Sequence, residues 1–124
     1  MHPLDTLLAL ETESAAFGLS YPNVEMVLDQ IKDECLEIQE TIHQEEGKVR
    51  LQEEVGDLLH AALSLCLFLE LDMEETITKA NTKFASRLQK VKALAQSLGL
   101  SSLHEQSPEA LTAIWNQAKS LEAV

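Results

Sequence analysis

Apolar residues recur at intervals of three and four positions along most of the chain, which is the spacing of amphipathic helices. Gly18, Pro22, Gly47 and Gly99 interrupt this pattern, because glycine and proline both punctuate helices. No stretch alternates apolar and polar residues as a half-buried strand does. The sequence therefore predicts an all-α chain whose five helices lie at residues 3–17, in a pair within 23–71, at 73–98 and at 108–122.

The second half of the third predicted helix, from Ala61 onward, is apolar on nearly every side. A helix of this kind is normally buried on several sides. A chain of 124 residues suffices for a single domain, residues 1–124, but such a domain rarely surrounds one of its own helices completely. We therefore expect part of this surface to meet another subunit.

The chain is acidic, since 21 Asp and Glu residues against nine Lys and Arg give a formal net charge of −12. This balance argues against binding nucleic acid through a basic surface, but not against a small polyanion held through metal ions. The start lacks the basic segment of a secretory signal, and the most apolar run, residues 58–71, is shorter than the ~18–20 residues of a membrane span. Because that run is too short, we also expect no membrane binding. Cys35 and Cys66 lie in apolar patterns, so we expect both to be buried free thiols of a cytoplasmic protein.

Two pairs of carboxylates stand out. Glu34 and Glu37 lie three residues apart on the second predicted helix, and Glu54 and Asp57 do so on the third, so each pair shares a helix face. Gly47 lies between the two helices, and an antiparallel hairpin would bring the pairs together. Four unneutralised carboxylates would repel one another there. The sequence therefore predicts a divalent cation, and hard oxygen ligands suit Mg²⁺ or Mn²⁺.

Acidic residues on helices usually form a solvated surface, and with 21 acids some pairs spaced by three are inevitable. The two pairs differ from such residues because each borders the apolar stripe of its helix. Their acidic neighbours, Asp33 and Glu53, point further out and could support the ligands from behind. We therefore favour a metal site over a merely solvated surface.

A di-iron site is an alternative, and it requires Glu-x-x-His on two helices of a bundle. The nearest candidates pair Glu40 with His43 and Asp57 with His60. Glu40 and His60 point away from the apolar stripes, so an inward site built from them does not close. We therefore predict surface histidines without a metal role.

The fourth predicted helix carries an unusual share of the few basic residues. Lys79, Asn81, Lys83 and Arg87 lie within nine positions, and Lys83 and Arg87 share a face at i, i+4. Salt bridges to the acidic helices would explain them equally well when they are taken alone. Beside a metal site they favour an anion clamp, in which Lys and Arg neutralise phosphate oxygens.

These motifs together resemble the MazG-type nucleoside triphosphate pyrophosphohydrolases over nearly the whole chain. The stretches that carry the resemblance are Glu34-x-x-Glu37, Glu53-Glu54-Val55-Gly56-Asp57-Leu58-Leu59, Asn81-x-Lys83-Phe84-x-x-Arg87 and Leu111-x-x-Ile114-Trp115-x-x-Ala118-Lys119. The sequence departs from that pattern in two places, since Tyr21 stands where a Trp is expected and Asp33 replaces a leading Glu. Many members of the family are also tandem two-domain chains.

The resemblance implies an all-α, four-helix-bundle-like core with an extra C-terminal helix, assembled as a homodimer; pairing of dimers into a homotetramer stays open. It implies Mg²⁺, with Mn²⁺ as a substitute, on the helix pair 23–71, and triphosphate binding by the helix 73–98. Carried over by position, the metal ligands are Glu34, Glu37, Glu54 and Asp57, and the substrate-binding residues are Asn81, Lys83, Arg87 and Trp115. Trp115 would border the base, although packing in the core would explain it as well.

The implied reaction is hydrolysis of a nucleoside triphosphate at the α–β anhydride, giving nucleoside monophosphate and pyrophosphate. Either Glu37 or Glu53 would accept the proton of the attacking water. Besides the di-iron protein, which would contain bound iron, two alternatives stay open. One is a related pyrophosphohydrolase with a narrower substrate, such as dUTP, dCTP or phosphoribosyl-ATP. The other is a helical interaction module without enzymatic activity, whose acids are only a solvated surface.

Overall fold

Residues 2–122, the part of the chain that the computed structural model describes, form five α-helices and no strand. Their bounds are α1 Pro3–Phe17, α2 Val24–His43, α3 Lys48–Phe68, α4 Met73–Ser97 and α5 Pro108–Ser120. The all-α prediction is therefore confirmed. None of these helices combines the length and the apolar character that a membrane crossing requires. The four-helix-bundle-like core and the dimer stay predictions.

Side-chain oxygens cap the starts of α2 and α5. The Asn23 side-chain oxygen accepts a hydrogen bond from the Met26 amide at 3.0 Å, at the start of α2. Ser107 does the same for the Ala110 amide at 3.1 Å, with Pro108 as the first residue of α5. Each cap satisfies one of the amide groups that a helix start leaves unpaired, and a cap of this kind contributes about 1 kcal/mol.

Helix α2 ends at His43, and α3 ends at Phe68, earlier than the end of the predicted helix pair at residue 71. The reason is the left-handed backbone of two glutamates: Glu45 has φ 52° and Glu70 has φ 59°. The residue after each of them donates its amide back to the last turn, which closes the helix in the manner usually associated with glycine. Gly47, with φ 92°, instead stands immediately before α3.

The described chain divides into two compact units, one up to Glu74 and one from Glu75 onward. In the first unit α2 packs along α3, and α1 packs against α3. The short connection between α2 and α3 makes the two an antiparallel hairpin. In the second unit, side chains of α4 and α5 bury Val91, Ile114 and Ala118. The single domain stays a prediction.

The contact face of the hairpin follows a heptad, with buried and half-buried residues at alternating intervals of three and four. On α2 these residues are Val24, Val27, Ile31, Glu34, Ile38 and Thr41, and on α3 they are Leu51, Glu54, Leu58, Ala61, Leu65 and Phe68. Two positions that a hydrophobic residue would normally fill in such a packing are thus glutamates.

The prediction that both cysteines are buried is wrong for Cys35, which is exposed. Cys66 is half-buried, and both thiols are free. Cys35 follows Glu34 on the helix and so points about 100° away from the contact face. Ile42 follows Thr41 in the same way and is 59% exposed. The apolar stripe read from the sequence is therefore wider than the face that the hairpin buries.

Helix α1 is held on α3 by a polar contact. The Ser64 hydroxyl lies 2.7 Å from Glu11 Oε1 and donates to it, and His60 Nε2 lies 3.5 Å from the same oxygen. Ser64 is buried and Glu11 is half-buried. A hydrogen bond to a charged acceptor in such surroundings contributes more than an exposed one.

We expect Ser64→Ala to lower the free energy of unfolding by about 1–2 kcal/mol, because Glu11 loses a buried donor. Urea unfolding followed by circular dichroism measures the change. Thr12→Ala is the matched control, since the Thr12 hydroxyl only bonds its own helix at the exposed Leu8 carbonyl. Equal stabilities of Ser64→Ala and wild type would show that the contact does not hold α1.

Candidate metal centre and anion-binding groove

The hairpin of the first unit brings the four predicted carboxylates together. One oxygen each of Glu34, Glu37, Glu54 and Asp57 lies within 4.8 Å of the others. We call these four residues the acidic cluster. Glu34 and Glu54 are buried, with 7% and 2% of their surface exposed, while Glu37 and Asp57 are exposed at its edge. No histidine belongs to the cluster, and no further group of three or more His, Cys, Asp or Glu residues with this closeness occurs within residues 2–122.

The two buried glutamates each have one oxygen engaged and one left over. Glu34 Oε1 accepts a hydrogen bond from Gln30 Nε2 at 2.6 Å, and Glu54 Oε1 is paired with the Arg50 guanidinium. Oε2 of each glutamate is buried and has no hydrogen-bond partner. A buried ionised oxygen without a partner is costly, and a divalent cation would remove that cost. The donor set, all carboxylate oxygens, fits Mg²⁺ or Mn²⁺.

The pKa of Glu37 reflects the negative charge of the acidic cluster. Hydrogen bonding to the Glu54 carboxylate, together with the negative charge of Glu34, raises the pKa of Glu37 from 4.5 to about 7. Near pH 7, Glu37 is therefore only partly ionised, because its negative charge would add to those of the neighbouring carboxylates. The cluster requires positive charge, and either a proton on Glu37 or a bound cation can supply it.

The other predicted acids lie outside the cluster. Glu53, a predicted proton acceptor, is exposed, and its Oε2 accepts a hydrogen bond from Arg50 Nη1 at 2.9 Å. Asp33 is exposed on α2. Gln30 and Arg50 did not figure in the sequence-based prediction. Their spacing could have pointed to them, because each lies four residues before a buried glutamate and so on the same helix face.

In the second unit, α4 presents basic and hydroxyl side chains at intervals of about one turn. They line a groove of about 670 Å³, which the two residues that follow α5 close. We call it the α4 groove, and its lining residues are Thr78, Lys79, Thr82, Lys83, Ser86, Lys90, Leu121 and Glu122. Lysines and hydroxyls are donors, so the groove suits an anion.

An anionic side chain of the protein already lies in the groove. Glu122 Oε2 accepts a hydrogen bond from Arg87 Nη2 at 2.9 Å, and Arg87 Nε also donates to the carboxylate. Lys90 Nζ is 4.0 Å from Glu122 Oε1. Hydrogen bonding to Arg87 lowers the pKa of Glu122, so its carboxylate is ionised at neutral pH. Arg87 is thus engaged by Glu122, which sequence spacing could not reveal, since the two lie 35 residues apart.

Aromatic rings lie beside the same arginine. The Arg87 guanidinium is 5.2 Å from the centre of the Trp115 ring, a cation–π distance. Phe84 is tilted against Trp115, with ring centroids 6.0 Å apart. Trp115 is half-buried and also packs on the core of the second unit. Asn81 is exposed and does not line the groove, so the structure brings together Arg87 and Trp115 but not Asn81.

Comparison with known protein families identifies the class to which the chain belongs. Residues 23–92, more than half of the chain, match the model of the MazG nucleotide pyrophosphohydrolase domain. The chain therefore belongs to the MazG nucleotide pyrophosphohydrolase family. The matched region contains α2, α3 and most of α4, and the resemblance noted from the sequence is confirmed.

Curated relatives agree with this assignment. The chain is 33% identical over 110 residues to the nucleoside triphosphate pyrophosphohydrolase/pyrophosphatase MazG of Thermotoga maritima, covering 89% of the chain and 41% of that protein. It is 28% identical over 114 residues to the nucleoside triphosphate pyrophosphohydrolase of Escherichia coli K12, covering 91% and 43%. A third relative, the uncharacterized protein YabN of Bacillus subtilis, is 33% identical over 72 residues. The chain spans about two fifths of the length of the first two.

In EDTA, we expect the stability of wild type to fall relative to that of Glu37→Gln as the pH rises from about 4.5 to about 7. The pKa of Glu37 is about 7 in the folded chain and 4.5 ordinarily, so the folded state binds the proton more tightly. This stabilisation is fully present below pH 4.5 and is lost as the pH passes 7. Urea unfolding at a series of pH values measures the free energy of unfolding of wild type minus that of Glu37→Gln. A difference that stays flat or rises with pH would contradict the raised pKa of Glu37.

Proposed function

We propose that the protein hydrolyses nucleoside triphosphates at the α–β anhydride in a Mg²⁺-dependent reaction, producing nucleoside monophosphate and pyrophosphate. One observation carries the proposal: two buried glutamates present unpartnered oxygens to a four-carboxylate cluster. A solvated acidic surface would have no reason to bury carboxylate oxygens, because water would satisfy them at no cost. Membership of the MazG family supplies the substrate class.

Glu34, Glu37, Glu54 and Asp57 would hold the Mg²⁺. When bound, the ion supplies neutralising charge for phosphate oxygens and lowers the pKa of a water molecule. The hairpin supplies the rest, since it fixes the two buried carboxylates from opposite helices and leaves the two exposed ones open to solvent and substrate. Phosphoryl transfer depends mainly on such positioning and electrostatic stabilisation.

Glu37 is the better candidate to accept the proton of the attacking water. It lies at the exposed edge of the cluster, and its surroundings raise its pKa to about 7, close to the pH at which a general base works best. Glu53 is the second candidate, and its carboxylate is engaged by Arg50 instead. Asp33, exposed beside Glu34, would act only by supporting its neighbours.

Lys83 and Arg87 would hold the triphosphate, with Asn81 beside them and Trp115 bordering the base. Arg87 offers a planar pair of donors to Glu122 now, and the same fork suits two oxygens of a phosphate. Substrate binding would therefore replace the Glu122 carboxylate by a phosphate. Because Trp115 lies against the Arg87 guanidinium, the surroundings of its ring should change when a phosphate replaces the Glu122 carboxylate.

We further expect a homodimer, with a homotetramer as the alternative. Large apolar side chains remain exposed on the described chain, among them Leu59 at 60%, Phe84 at 57% and Leu71 at 48%. Contact with a second subunit would remove such side chains from water. We expect the protein to act on nucleotides in the cytoplasm, without binding nucleic acid or membranes.

Two other functions stay under test. A narrower pyrophosphohydrolase, acting on dUTP, dCTP or phosphoribosyl-ATP, would use the same cluster with a different base site. A helical interaction module without activity would leave the cluster unused, and it predicts no stabilisation by Mg²⁺ on heating.

We expect wild type to release pyrophosphate from one or more of the common ribo- and deoxyribonucleoside triphosphates with Mg²⁺ but not with EDTA. Glu54→Gln should lower kcat by about a thousandfold, because it removes a charged ligand that stabilises the transition state. A coupled pyrophosphate assay measures both effects. Glu40→Gln, an exposed acid one turn beyond Glu37, is the control and should keep full activity. Full activity of Glu54→Gln would exclude the ligand role.

Arg87→Met should raise KM for the best substrate by about tenfold or more, because it removes a charged hydrogen bond to phosphate worth about 1.5–3 kcal/mol. Glu122→Gln should lower KM, because the neutral amide competes less well than a carboxylate for Arg87. Steady-state kinetics measures both values. A higher KM in Glu122→Gln would mean that Glu122 orients Arg87 for substrate rather than competing with it.

A further inference from the structure

Each of the two buried carboxylates of the acidic cluster accepts a hydrogen bond from a residue of its own helix. On α2, Gln30 Nε2 donates to Glu34 Oε1, and on α3 the Arg50 guanidinium donates to Glu54 Oε1. Each donor stands one helical turn before its glutamate. In both glutamates the other oxygen, Oε2, is buried and accepts nothing. Because the same arrangement of donor and glutamate occurs on both helices, we infer that the two donors have the same role.

The antiparallel hairpin makes the two donors flank the cluster. The residue one turn before Glu34 lies towards the open end of the hairpin, whereas the residue one turn before Glu54 lies towards the connection between the helices. Gln30 and Arg50 therefore approach from opposite ends. Between them, each glutamate keeps one oxygen engaged by the protein and one oxygen available for a ligand.

We propose that Gln30 and Arg50 are positioning residues that restrict Glu34 and Glu54 to one metal-binding oxygen each, and that they thereby favour Mg²⁺ or Mn²⁺ over Ca²⁺. This inference rests on the metal role proposed for the cluster. Mg²⁺ demands near-octahedral coordination by few protein oxygens, whereas Ca²⁺ takes six to eight oxygens and often both oxygens of one carboxylate. An Oε1 that already accepts a hydrogen bond is withheld from such two-oxygen binding.

The two residues differ in a way that separates geometry from charge. Arg50 carries a full positive charge and also pairs with Glu53 at 2.9 Å. Gln30 is neutral and contacts Glu34 through one amide hydrogen bond. A change in metal preference on loss of Gln30 therefore reflects the orientation of Glu34, because the net charge of the cluster stays the same.

The test compares the affinities for Mg²⁺, Mn²⁺ and Ca²⁺ by isothermal titration calorimetry in wild type, Gln30→Met, Arg50→Met and Arg50→Lys. We expect wild type to prefer Mg²⁺ and Mn²⁺. Gln30→Met should lose about tenfold in Mg²⁺ affinity, the lower end for partners behind a metal ligand, while Ca²⁺ affinity falls less. Arg50→Lys, which keeps the charge and a donor, should retain more of the Mg²⁺ preference than Arg50→Met.

Two controls guard against general effects. Gln39→Met removes an exposed amide from α2, and Lys48→Met removes an exposed positive charge from α3; both should keep the wild-type ratio of Mg²⁺ to Ca²⁺ affinity. Circular dichroism and thermal unfolding in EDTA verify that each variant is folded. An unchanged ratio in both Gln30→Met and Arg50→Met would overturn the positioning role alone. Failure of wild type to bind any divalent cation would instead overturn the proposed function.

Discussion

Two glutamates in the core of a helical hairpin are the constraint on which the first unit depends. Glu34 and Glu54 occupy heptad positions where apolar side chains would pack, and burying a charge there costs several kcal/mol unless it is compensated. Gln30 and Arg50 compensate part of that cost by engaging one oxygen of each carboxylate. The remaining oxygens have no hydrogen-bond partner within residues 2–122, so either a proton on Glu37 or a bound cation is needed to offset their charge.

The second unit presents the opposite electrostatic situation. Here lysines and Arg87 line up along α4 in an otherwise acidic chain, and the carboxylate of Glu122 balances part of their charge. The two units thus call for ligands of opposite sign.

Local spacing made much of this predictable. Helical periodicity indicated the five helices, and the three-residue spacing of the carboxylate pairs was enough to place each pair on one helix face. The exact contact face was harder to predict, because the apolar stripe of α2 is wider than the face that packs on α3, and the pattern alone does not decide that Glu34 is buried and Cys35 exposed. Glu45 and Glu70 adopt left-handed conformations for which the sequence gives little signal. The pairing of Arg87 with Glu122 depends on tertiary structure alone.

The central claim, that the hairpin holds a divalent cation through its buried carboxylates, is tested most directly by a crystal structure of the protein with Mn²⁺, using anomalous scattering to locate the metal. We expect an anomalous peak next to Oε2 of Glu34 and Oε2 of Glu54, while Gln30 and Arg50 still donate hydrogen bonds to the Oε1 atoms. The absence of a peak at the acidic cluster at saturating Mn²⁺, or a peak found only beside surface acids elsewhere, would contradict the claim.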